Sequence, residues 1–231
     1  MTAPPLDVEK VLREFSGEVP LFALPSLVLL PDVVAPLLIF EDRYRAMTAD
    51  ALEGERLVGM ALLKPGWETA YEGNPPLYDH LCVGSIVSHE KLPDGRYKLL
   101  LYGAFRARVL EETQQVPYRR ARVEVLRDTV AADRADELDE RLHAVLDRMP
   151  GRRGRVGRLR MLATQVRGGG GGPGRLADAA AEAAELPPQD RYRVLAEGDV
   201  LARLDLILEA LEARARRGDD ELPPRADATL N

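Results

Sequence analysis

Residues 21–45 read LFALPSLVLLPDVVAPLLIFEDRYR, an apolar run broken by Pro25, Pro31 and Pro36 and ended by the charge cluster Glu41–Arg45. Proline fixes its own φ and cannot donate to a sheet ladder, so the three prolines cut the run into short extended pieces. At Asp42 the periodicity changes. Tyr44, Met47, Ala51 and Leu52 recur at helical spacing, and Gly54 closes the segment. Short strands followed by one helix therefore open the ordered part of the chain.

Upstream, residues 1–19 read as a flexible polar leader with one short helix around Val8–Phe15. Downstream to Leu126 the signals stay mostly β. Leu57–Leu63 is a short buried strand, and a long loop over Pro65–Asp79 carries Trp67, Tyr71 and Tyr78. Leu81–His89 and Tyr97–Tyr102 flank Pro93-Asp94-Gly95, residues suited to a tight turn, so a hairpin is expected there. Gly103 marks a bend or bulge before Phe105–Leu110. In Tyr118–Leu126, Arg120, Arg122 and Glu124 alternate with Ala121, Val123 and Val125, the pattern of a half-solvated strand.

After Asp128 the pattern turns helical. Leu138, Leu142, Val145 and Met149 form a stripe that Pro150-Gly151 ends. An Arg/Gly segment and the run GGGGGPG follow, and the glycine-rich piece 167–175 is expected to be mobile. Helices are expected over Arg175–Leu186, again after Pro187-Pro188, and from an Asp199 cap along Leu201, Leu204, Leu208, Leu211 and Ala215. The expected organisation is a leader (1–19), a β-rich subdomain (20–127), a helical subdomain (128–217) and a disordered tail (218–231).

Composition narrows the function classes. The net charge of −6 over 231 residues argues against a dedicated nucleic-acid binder. Cys82 is the only cysteine, which excludes an internal disulfide and a multi-thiolate zinc site and suits a reducing compartment. MTAPPLDVEK lacks the basic-then-apolar order of a signal peptide, and the apolar stretches contain proline and fall short of a bilayer span. A soluble cytoplasmic protein without membrane contact is expected.

The stretch LFALPSLVLLPDVVAPLLIFEDRYRAMTADAL resembles the opening of the Lon protease N-terminal, or substrate-binding, domain, and in particular its stand-alone bacterial members. The resemblance continues through Val83-Gly84, the Leu92–Tyr97 turn and Gly103–Phe105–Arg106, and more weakly from Leu176 to Leu211. It implies an α+β fold: a PUA-like β-rich pseudo-barrel followed by a small α-helical bundle. It also implies a part in capturing polypeptide substrates for an ATP-dependent protease. Two features depart from the pattern. Leu30-Pro31-Asp32 stands where the family often has Phe-Pro-Gly, which leaves the local turn open, and the glycine insert at 168–174 has no counterpart.

No catalytic chemistry emerges. In GGGGGPGRLAD, Arg175-Leu176 replaces the Lys-Ser/Thr pair that a phosphate loop requires. The serines and lysines show no Ser–Lys signature, and alternation puts Ser85 and Ser88 on opposite faces. His80, His89 and His143 lack metal spacing, and Cys82 sits in an apolar strand. The expectation is a non-enzyme with no cofactor and no metal. Its candidate partner-binding residues are Trp67, Tyr71, Tyr78, Arg43 and Arg45. For the aromatic trio the alternative is cover for the β core, and for the two arginines it is internal ion pairing with Tyr44 packed inward. Expected partners are unfolded or client polypeptides and a separate ATP-dependent protease. The rival is an RNA-associated protein using Arg119, Arg120 and Arg122 with Arg152, Arg153, Arg155, Arg158 and Arg160.

Overall fold

A computed structural model of the chain describes residues 6–70, 73–114, 117–130, 134–149, 157, 159 and 172–218. The chain divides into two compact units between Leu126 and Arg127. Each unit has its own architecture.

In the first unit, helix α1 (Val8–Glu14) precedes strands β1 (Glu18–Leu24) and β2 (Val34–Ile39), helix α2 (Asp42–Glu53) and strand β3 (Leu57–Leu63). Strands β4 (Leu77–Lys91), β5 (Tyr97–Gln114) and β6 (Arg120–Leu126) complete it. The strands form one mixed sheet in the order β2-β5-β4-β3-β1-β6, and β6 also pairs with β5. Five strands therefore close into a barrel, and β2 is left as an edge strand. Only β1 and β3 run parallel, in register at Leu21↔Gly59. Strand β5 serves both parts: residues 97–102 pair with β2 and residues 106–114 with β6.

The prolines act as the sequence predicts. Strand β1 stops at Leu24, before Pro25, and Pro36 is tolerated inside β2 because that strand pairs on one side only. β3 is buried along its whole length, as befits a strand with neighbours on both sides. Val19, Leu21, Leu57, Leu81, Val83, Phe105, Ala121 and Val123 form the barrel core, and Phe22, Leu29, Leu30, Ile39, Met47, Met60 and Leu101 are also buried in this unit. Tyr44, buried on α2, donates its hydroxyl to the Ala23 carbonyl at 3.0 Å and meets Phe22 edge-on at 4.5 Å. Within the leader, Asp7 caps α1, and Leu6, Val11, Leu12 and Phe15 pack against the barrel core, Phe15 at 5.3 Å from Phe105.

The expected irregularity at Gly103 is present. Val83 pairs with Phe105 while Gly84 pairs with Gly103, which leaves Ala104 as the extra residue. Gly103 must be small there, because an added Cβ would strike the Leu30 carbonyl. The close approach is fastened by bonds from the Asp32 N–H to the Gly103 carbonyl and from the Gly103 N–H to the Val33 carbonyl, both 2.8 Å. A second bulge, between Ile86 and Ser88, corrects the alternation reading. Ser85 pairs with Tyr102 and Ser88 with Leu100, so both serines lie on one side of the sheet, Ser85 buried and Ser88 exposed.

The second unit contains α3 (Ala135–Arg148), α4 (Pro173–Ala184), α5 (Pro188–Ala196) and α6 (Val200–Arg217). Helix α4 starts two residues earlier than expected. Pro173 suits a first turn, and Gly174 accommodates the Asp128 carboxylate lying against it. Asp199 caps α6 through a 2.9 Å bond from the Ala202 N–H. The buried face of α6 differs from the predicted leucine stripe. Val200, Leu201, Arg203, Leu204, Ile207, Ala210, Leu211 and Arg214 are buried, whereas Leu208 is half-buried and Ala215 exposed. The reason is electrostatic. Arg203 is fully buried because it donates to Asp178 at 3.2 Å, to Asp128 and to the Gly198 carbonyl at 3.3 Å. Arg214 binds the Ala184 carbonyl at the end of α4 at 3.1 Å. The Arg/Gly segment at 151–156, Arg167 with the glycines at 168–171, and the tail at 219–231 lie outside the described residues.

Candidate functional site

The expected binding residues fall in two places on the barrel. Trp67 opens a single 3-10 turn, Trp67–Ala70, in the loop joining β3 to β4. Gly66 supplies a left-handed residue (φ 86°) just before it, and the Thr69 hydroxyl donates to the Gly66 carbonyl at 3.1 Å. The loop is tied down at its far end. Lys64 N–H bonds the Pro76 carbonyl at 2.8 Å, and the Arg119 guanidinium bonds the Pro75 carbonyl at 2.7 Å while pairing with Glu112. Tyr78 is the second residue of β4, with the Lys64 ammonium 5.6 Å from its ring centre. Trp67 and Tyr78 are both half-buried. Tyr71 lies outside the described residues.

Arg43 and Arg45 emerge from the first turn of α2. Arg43 pairs with Glu41 at 2.8 Å and lies over the Tyr44 ring, 4.6 Å from its centre. Arg45 pairs with Asp42 at 2.9 Å and donates to the Gly95 carbonyl at 2.9 Å. Gly95 has φ 85°, and an added Cβ would run into that guanidinium, so Arg45 holds the tip of the β4–β5 hairpin against α2. Both arginines thus have internal work in fastening the barrel. Burial pushes the Tyr44 hydroxyl above its ordinary range, against the opposing pull of Arg43.

The arginines of the RNA reading that the structure describes each meet a carboxylate. Arg119 pairs with Glu112, Arg120 with Glu18 at 2.6 Å and Arg122 with Glu111 at 2.9 Å. The bond from Arg120 holds the Glu18 carboxyl below its usual range. Beside them, Tyr118 donates to Asp50 at 2.6 Å, and burial together with that bond raises its hydroxyl above the ordinary value. Arg152, Arg153, Arg155 and Arg160 lie outside the described residues, as does Arg158.

Sequence reasoning missed one surface. Val34, Val87 and Leu100 are exposed on the outer side of β2, β4 and β5. A signal for it was present: VAPLLI and KLLLY place apolar residues on both phases of strand alternation, and only one phase can face a barrel interior.

A closed mixed barrel with an added edge strand, followed in the chain by a helical unit, is the architecture of solved Lon N-terminal domains. The N-terminal domain of the Mycobacterium avium complex Lon protease matches with a TM-score of 0.61 at 18% identity, over 84% of this chain and 98% of that one. The Lon N-terminal domain protein of Xanthomonas campestris matches with a TM-score of 0.58 at 24% identity, over 83% of this chain and 97% of that one. The family model of the ATP-dependent protease La (LON) substrate-binding domain matches residues 18–213, and the chain belongs to that family. Lon protease 2 of Myxococcus xanthus is 28% identical over 218 residues, covering 92% of this chain and 25% of its own length. The Lon protease of Anaeromyxobacter dehalogenans is 27% identical over 217 residues, with 91% and 25% covered. The chain therefore spans about a quarter of the length of the relatives it matches. Among the described residues, no helix is long and apolar enough to cross a membrane.

Proposed function

We propose that this chain is a non-catalytic polypeptide-binding module. It holds exposed segments of client proteins on the β3–β4 loop around Trp67, Tyr71 and Tyr78, and it presents them to an ATP-dependent protease carried on another chain. Arg43 and Arg45 contribute by fixing the surface, and Arg43 offers its half-exposed guanidinium at the margin. Family membership supports the class of ligand. The observation that carries the site is the tethered loop. Its ends are fixed through Pro75 and Pro76, so two half-exposed aromatic side chains are presented with little ordering left to lose on binding.

The test is a fluorescence-anisotropy titration of the whole chain with a labelled, permanently unfolded polypeptide and a labelled single-stranded RNA, each at low and high salt. Saturable, salt-tolerant binding to the polypeptide is expected, weakened on the order of tenfold by Trp67→Ala with Tyr78→Ala. Normal binding by that folded double variant would remove the site. Binding to RNA alone, lost steeply with salt, would replace the reading with the nucleic-acid one.

A further inference from the structure

Helix α1 lies against the barrel without being built into it. Its residues separate by exposure at helical spacing. Val8, Val11, Leu12 and Phe15 are half-buried, while Glu9, Lys10, Arg13 and Glu14 are exposed. No α1 side chain is fully buried. The apolar stripe packs against the core cluster that holds Phe105 and Ala107 of β5 and Val123 of β6, and half-buried Val109 and Val125 flank the same cluster. The register sets Val109 against Val123 and Ala107 against Val125, so the two strands supply one apolar seat.

We infer that this seat is a docking site for a short amphipathic helix and that α1 is its resident occupant, a detachable cover that swings about Gly17. Seven residues are too few for a helix to persist alone in water, where roughly 12–15 are needed, so α1 is helical because the barrel holds it. Docking and helix formation are one event. Among the described residues, one hydrogen bond ties segment 6–16 to a residue distant in sequence, from the Ser16 N–H to the exposed Glu55 carboxylate at 3.1 Å. Gly17 supplies the joint. It is left-handed (φ 89°), and an added Cβ would meet nothing within 4 Å. Its carbonyl accepts from the Val123 N–H at 2.9 Å, which fixes the downstream side of the joint to β6. All six strands begin after it, as does the family match at residue 18, so departure of α1 breaks no strand pairing.

The polar half of α1 is self-sufficient. Asp7 caps the helix by accepting from the Lys10 N–H at 3.0 Å, and Glu9 in the first turn and Arg13 in the last complement the helix dipole. Binding therefore rests on the apolar stripe and the Phe15–Phe105 contact, with ring centres 5.3 Å apart. A helix arriving from another chain meets a tethered rival. A short tether gives an effective concentration on the order of mM, so α1 excludes weaker competitors and yields to tighter ones. The contact is thus autoinhibitory. It shares no residue with the Trp67–Tyr78 surface and does not depend on the polypeptide-binding reading.

Two measurements on the whole chain test the assignment. In native-state hydrogen exchange, the Val11 amide, which bonds the Asp7 carbonyl, is expected to exchange about a hundredfold faster than amides of β3 and β4. The second titrates a labelled peptide of residues 6–16, LDVEKVLREFS, against the chain and against its Leu12→Ser, Phe15→Ser double variant. The vacated seat is expected to bind the peptide about tenfold more tightly than the unaltered chain does, with β3 and β4 still protected. A peptide carrying both serines is expected not to bind. Exchange of α1 in step with β3 and β4, or loss of their protection in the double variant, would make α1 an integral part of the barrel and overturn the inference. Equal affinity of the two chains for the peptide would overturn it as well. A dimer in sedimentation that the double variant abolishes would assign the seat to α1 of a second copy, against a cover that closes on its own barrel.

Discussion

Asp32 carries a backbone conformation that its side chain normally resists. Its φ is 62°, in the left-handed region, and it occupies the position where the resemblance led to an expected glycine. Aspartate is among the few residues that enter this region at modest cost, because its short carboxylate bonds locally; here it accepts from Tyr102. The turn thus keeps its shape with a different residue, a substitution that reading Leu30-Pro31-Asp32 alone left open. Replacing Asp32 with alanine should lower stability by about 1 kcal/mol, and Asp32→Gly should recover at least half of that in denaturant midpoint. Equal losses for alanine and glycine would mean that the Tyr102 bond, not backbone strain, dominates. A related case was illegible. Gly54 ends α2 with φ −100°, and the left-handed turn passes to Arg56 (φ 60°), whose N–H bonds the Ala51 carbonyl at 2.9 Å. Nothing about an arginine marks it for that role.

At the scale of elements, most strands and helices could be read from proline placement, alternation and caps, since these are local signals. The face of α6 could not. A stripe of Leu201, Leu204, Leu208 and Leu211 fits helical spacing, and arginine is ordinarily assigned to solvent. Burial of Arg203 and Arg214 depends on Asp178, Asp128 and Ala184, groups that approach only after the helices pack. The buried face therefore runs through Ile207, which is fully buried, rather than Leu208. Ile207→Ala should cost about 2–5 kcal/mol in equilibrium unfolding, and Leu208→Ala well under half as much. The reverse order would restore the leucine stripe as the packed face. Closure of the barrel was hidden for a similar reason. Its last pairing joins Glu18 to Arg122 and Val19 to Ala121, residues about a hundred positions apart, and no local pattern encodes such a partner. The outer face of β2 and β5 stood closer to legibility, because its surplus apolar phase is visible in the strands themselves.

For the whole molecule, the two units differ in what holds them. The barrel unit buries mostly apolar side chains, with Arg106 among them at 3% exposure, whereas the helical unit buries an ion cluster, with Arg203 and Asp178 at 0% and 1% exposure. A buried charge left without its partner is far more destabilising than the intact pair is stabilising, so the cluster makes the helical unit sensitive to a single change. Asp178→Ala strands the Arg203 guanidinium with Asp128 and the Gly198 carbonyl as its remaining partners, and should destabilise that unit by about 3 kcal/mol. Replacing both residues together, Arg203→Met with Asp178→Leu, should recover most of the loss, since the uncompensated charge disappears along with the pair. Hydrogen exchange resolves where the effect lands. Amides of α3, α4 and α6 should lose protection in Asp178→Ala and regain it in the double variant, while those of β3, β4 and β5 stay at their original level. Equal loss in the barrel strands would show that the two units unfold as one cooperative body. Unchanged protection in both would mean that water or a rearranged Asp128 compensates Arg203, and that the cluster is not what stabilises the helical unit.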